Sequence, residues 1–177
     1  MTDADSLIAH FGEDATKVGI DGWPCPLRSE VLPAPHRPST LPPGSAAVYV
    51  FALGPAAGQS APCGTGTVLK VGKVGPNSEA RFRYMHYSPG SSNSNLAKSL
   101  LAHPILWPWL GIQHLTVDSV GHWIRTNLDR TNFFLPAGHP QVLATLEVYI
   151  RARVGSVFEG ACPQASRHRY AIDRAAR

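Results

Sequence analysis

The chain has three cysteines, Cys25, Cys63 and Cys162, too few and too scattered to staple a fold. No CxxC pair occurs, which excludes a zinc ribbon, and an odd number of thiols suits a reducing compartment. Of the eight histidines none forms an HxH or HExxH spacing, so a zinc hydrolase is unsupported. Lysine is scarce: only Lys17, Lys70, Lys73 and Lys98, against twelve arginines. Charged residues make up 16% of the 177, below the usual ~25%. No apolar run reaches the ~18 residues of a membrane span. The opening stretch MTDADSLIAHFGEDA lacks a basic region and a long apolar core, unlike a secretory signal. The expected setting is the cytoplasm, away from membranes.

What the chain has in excess is glycine and proline, 16 of each. Seven prolines, Pro24, Pro26, Pro33, Pro35, Pro38, Pro42 and Pro43, fall within residues 19–45, so this stretch reads as an extended arm. A short helix around Ser6–Phe11 precedes it. From residue 46 the pattern changes. Ala46–Leu53 is β-branched and aromatic, Thr67–Lys73 repeats that character, and a Gly/Pro/Ser stretch joins them, which predicts a hairpin. Asn77 or Ser78 starts a helix over Glu79–Tyr87, and Asn95–His103 is a short amphipathic helix. Trp107, Trp109, Leu110 and Ile112 read as core. Ser119–Asn127 has helical character, and Asn132–Leu135 is a third strand. Pro140–Val154 is the strongest helix: proline suits its first position, and Val142, Leu143, Leu146, Tyr149 and Ile150 follow helical spacing. The fold expected is α+β: a small, mostly antiparallel three-stranded sheet flanked by helices. Its parts are an arm over residues 1–45, a domain over 46–160 and a basic tail over 161–177.

The hairpin carries Tyr49 on its first strand and Lys70, Gly72 and Lys73 on its second. The helix after it bears Arg81, Arg83 and His86, and Glu147 sits among apolar neighbours on the last helix. In this order the chain resembles the GIY-YIG nuclease family. Ala47-Val48-Tyr49 stands where Gly-Ile-Tyr would, and Lys70-Val71-Gly72 where Tyr-Ile-Gly would, with Lys70 in place of the second tyrosine. The family's helix arginine matches Arg81 or Arg83, and its metal-binding glutamate matches Glu147. The resemblance spans about residues 46–160, with residues 88–131 unmatched.

The resemblance implies an endonuclease that hydrolyses DNA phosphodiester bonds with Mg²⁺ or Mn²⁺ held by Glu147, in restriction, defence or mobile-element biology. Such a cation keeps several waters and polarises the phosphate. The arginine would clamp nonbridging oxygens. Tyr49 would position or deprotonate the water, helped by the charge of Lys70 or Lys73, and His86 is a second candidate base. One site cuts one strand, so double-strand cleavage implies a homodimer or successive nicks. Each residue also has a plainer role open to it, above all Glu147, which can pair with Arg151 one turn on. A second candidate surface, for nucleic acid, carries Arg125, Asn127 and Arg130. The alternatives are a catalytically impaired nucleic-acid-binding domain on the same scaffold, or a protein-interaction scaffold using Trp107, Trp109 and the arm.

Overall fold

The computed structural model describes residues 4–19, 27–91 and 95–158. The basic tail, Cys25, Cys162, Glu159 and Ser92–Ser94 lie outside the described residues. Helix α1 (Ala4–Lys17) is followed by strand β1 (Arg28–Leu32). Strands β2 (Ser45–Leu53) and β3 (Val68–Val74) flank the short helix α2 (Pro55–Gly58). Then come α3 (Glu79–Arg83), a 3₁₀ turn (Met85–Tyr87), α4 (Leu96–Ala102), α5 (Val120–Asn127), β4 (Leu128–Pro136) and α6 (Pro140–Val154). The fold is α+β, with an antiparallel sheet ordered β1-β4-β2-β3.

The sheet has four strands rather than three. The added strand, β1, comes from the proline-rich arm and pairs along its whole length with β4, Glu30 opposite Asn132. Its five residues lie between prolines, so each can donate to a ladder although the arm as a whole reads as a breaker. Part-buried hydrogen bonds tie down the rest of the arm. The Ala34 amide donates to Asp129 Oδ1 at 2.8 Å, the His36 amide to the Arg125 carbonyl, and the Leu41 amide to Glu79 Oε2. Glu30 Oε2 accepts from both Asn132 and Ser39.

β2 is the central strand, and eight of its nine residues are buried. An uninterrupted apolar run is what a strand covered on both faces requires. Tyr49, Phe51 and Leu53 face one core with Phe82, Leu96, Leu100 and Ile124. Val48, Val50 and Ala52 face the other with Leu7, Phe11, Leu143, Leu146 and Ile150. α6 occupies the span its spacing predicts, with Pro140 in the first turn.

Two other expectations need correction. The helix after the hairpin stops at Arg83 and tightens into the 3₁₀ turn, because Phe82, His86 and Tyr87 must all point inward. Trp109 is 42% exposed while Leu110 and Ile112 are buried, so only part of the Pro-broken segment is core.

Candidate functional site

The hairpin register sets the site. Tyr49 lies opposite Gly72, Phe51 opposite Lys70, and Val48 opposite Lys73. Directly paired antiparallel residues share a face, so Gly72 shares a face with Tyr49 and Lys73 points to the other. Gly72 has a steric reason to be glycine: a Cβ there would lie 2.6 Å from Tyr49 Oη and 2.8 Å from its ring. The tyrosine ring lies across the strand where a side chain would stand. Gly72→Ala is therefore expected to cost about 1–3 kcal/mol of overpacking, read as a lower urea midpoint at unchanged slope. A variant as stable as the wild type would show that the ring is free to move away.

Tyr49 is fully buried, and its hydroxyl is held by neighbouring donors. The Leu96 amide donates to His86 Nδ1 at 3.3 Å. The proton of the neutral imidazole therefore sits on Nε2, which donates to Tyr49 Oη at 2.6 Å. Arg81 lies near enough to the Tyr49 hydroxyl to act on its ionisation. Burial pushes the phenol above its usual range, with Arg81 and then Arg130 opposing that rise and Glu147 adding to it. Tyr49 therefore stays protonated at neutral pH. Burial also holds His86 down to about 3, with Arg130, Lys70 and Arg81 reinforcing the shift. Both His86 ring nitrogens are engaged and the side chain is 1% exposed, so the imidazole is fixed against Tyr49.

The remaining charges gather on β3, an edge strand of the sheet. Glu147, from α6 on the far face, has both carboxylate oxygens in ion pairs: Oε2 with Lys73 at 3.0 Å and Oε1 with Arg151 at 2.8 Å. The expected pairing with Arg151 is present, and Lys73 joins it. Lys70 is 4% exposed, and burial lowers its pKa, with Arg151 and Arg81 reinforcing and Glu147 opposing. These mutual effects place Arg81, Lys70, Glu147 and Arg151 in one electrostatic neighbourhood around β3. Arg83 is elsewhere: its guanidinium stacks over the exposed Tyr84 ring at 5.0 Å.

As arranged, this neighbourhood does not fit a divalent cation. A hard cation seeks several oxygen ligands, but among the described residues the carboxylate here, Glu147, has a cation on each oxygen and two more nearby. Among the described residues no three His, Cys, Asp or Glu side chains come together as a ligand set.

The second candidate surface does not assemble. Arg125 faces the Tyr87 ring at 5.8 Å, and the Asn127 amide closes the α5 terminus by donating to the Trp123 carbonyl. Arg130 is not on that surface at all, because β4 has begun and turned it inward. It is fully buried, 4.2 Å from the Phe82 ring centroid. Its Nε donates to Asn132 Oδ1 and its Nη1 to Tyr87 Oη, while Nη2 finds no hydrogen-bond partner among the described residues. Tyr87 in turn donates to His36 Nε2, whose Nδ1–H donates to the Leu128 carbonyl. Sequence reasoning read Arg130 as a surface group and passed over Arg151 as a member of the site. The i+4 spacing of Arg151 from Glu147 was its only signal. Comparison with protein-family models, with characterised proteins and with solved structures finds no match for this chain.

Proposed function

We propose that the chain is a nucleic-acid phosphodiesterase, an endonuclease of GIY-YIG-like layout acting on DNA. The observation that carries this reading is the electrostatic influence of Arg81 on Tyr49, exerted across the hairpin and the helix after it, beside the Glu147 neighbourhood brought in by the last helix. Partly exposed cations on a sheet edge suit a phosphate backbone, and a guanidinium makes charge-assisted bonds to its oxygens. In this reading Arg81 and Lys73 take the nonbridging oxygens. Tyr49, held by His86, aims Arg81. Lys70, whose burial makes its proton easier to release, supplies one to the departing sugar oxygen. Cutting both strands takes two copies or two successive nicks.

A second reading, a binding domain without cleavage, is favoured by the complete burial and protonation of Tyr49. Nicking of supercoiled plasmid by the full chain, with Mg²⁺, with Mn²⁺ and with chelator, tests the first reading. Gel shifts across a salt series separate the second, since binding through phosphates weakens steeply as salt rises. No nicking under any condition, together with a salt-sensitive shift, leaves only the binding domain. Neither activity would remove nucleic acid from the account.

A further inference from the structure

Among the described residues Glu147 is the carboxylate that acts on Tyr49, and it is surrounded by positive charge. Lys73 and Arg151 hold its two oxygens at 3.0 and 2.8 Å, and Lys70 and Arg81 stand close enough to feel one another and Glu147. A divalent cation entering here would first have to displace an ammonium or a guanidinium. It would then be repelled by the cations that remain, in a partly buried setting where screening is weak.

Lys73 itself is 40% exposed while the carboxylate it grips is 14% exposed. One side of the ammonium is thus fixed by Glu147, and the other faces solvent on the open edge of the sheet. An ammonium has three donors and no acceptor. With one proton on Oε2, the others remain for an arriving oxyanion.

We propose that Lys73 stands in the place of the divalent cation, so that the site processes a phosphodiester without a metal. The inference rests on the phosphodiesterase reading above. Lys73 then meets the substrate as a catalytic residue, placing a fixed positive charge on a nonbridging oxygen from the α6 face of β3, as Arg81 does from the Tyr49 face. Glu147 is a positioning residue, and Arg151 fills the oxygen that Lys73 does not use. The reaction balances without any co-reactant: water's oxygen bonds to phosphorus, the bond from phosphorus to one sugar oxygen breaks, Lys70 gives that sugar oxygen a proton, and the proton released by the water restores Lys70.

The test combines plasmid nicking by the full chain with Mn²⁺ uptake, read from the electron paramagnetic resonance signal of free Mn²⁺. The wild type is expected to nick in EDTA as fast as in Mg²⁺ and to leave the Mn²⁺ signal undiminished. Lys73→Ala is expected to lose on the order of 10²-fold in EDTA, the size of effect seen when one transition-state donor is removed. With Oε2 uncovered, it should also take up Mn²⁺ and recover part of the rate when Mg²⁺ is added. A wild type that is silent in EDTA and active with Mg²⁺, or that takes up Mn²⁺ in a Glu147-dependent way, overturns the proposal and leaves the nuclease reading standing. Absence of nicking in every condition overturns both.

Discussion

Arg81→Ala is expected to slow plasmid nicking by about 10²–10³-fold, the loss found when a fixed transition-state donor is deleted, while moving the melting temperature little. The two effects separate because Arg81 is only partly buried and lies on a five-residue helix whose packing depends on Phe82. Arg83→Ala is the control. Arg83 sits two residues on, stacked on an exposed tyrosine, and its removal should leave the rate unchanged. Equal loss in both variants would mean general attraction of the polyanion. No loss in Arg81→Ala would detach the Tyr49–Arg81 pair from the chemistry. A further readout distinguishes aiming from charge. Tyr49→Phe removes the hydroxyl that Arg81 influences and should lower kcat more than it raises KM, because Arg81 would still attract phosphate but would lose the group proposed to aim it.

The second large effect is on stability as the pH falls. His86 is neutral in the fold, its pKa held at about 3 by burial first and by Arg130, Lys70 and Arg81 after that. An unfolded histidine takes up a proton near pH ~6.5. Below that pH the unfolded chain binds a proton that the folded chain refuses, so the contribution is complete above 6.5 and is lost as the pH drops toward 3. Between pH 6.5 and 5 the loss from this one residue should reach about 2 kcal/mol, at ~1.4 kcal/mol per pH unit. His36, whose pKa burial also lowers, adds to it in the same direction. Most carboxylates titrate below this window, so urea midpoints at pH 7 and pH 5 isolate the histidines. His86→Gln should flatten the dependence. If that variant does not fold, the His86 ring resonances in the wild type should still show no titration between pH 7 and 5. A titration there would contradict the buried, neutral imidazole.

Much of the frame was legible along the chain because its signals are local. The apolar run of β2 needs both faces covered whatever lies around it, and the 3.6-residue spacing after Pro140 makes α6 a helix by itself. The residues worth testing were legible too: Tyr49, Lys70, Lys73, Arg81 and Glu147 are unusual where they stand. Their relations were not, since these depend on pairing between segments far apart. β1 is five residues of an arm full of breakers and becomes a strand only because β4 offers an edge. Arg130 reads as a surface cation until β4 turns it into an aromatic core, where Asn132 and Tyr87 satisfy two of its nitrogens.

The sequence by itself determined that a tyrosine-bearing strand, a lysine-rich strand, an arginine helix and a glutamate helix follow one another in this order. Only the tertiary structure decided which charges meet. Alternation along β3 sends Gly72 toward Tyr49 and Lys73 toward Glu147 on opposite faces. Burial, which has no signature in a linear string, then sets the protonation: it keeps Tyr49 a phenol and His86 neutral. A carboxylate that in sequence could equally take a metal or an arginine is claimed by two cations, because α6 packs with Glu147 against the lysine that alternation turns toward it.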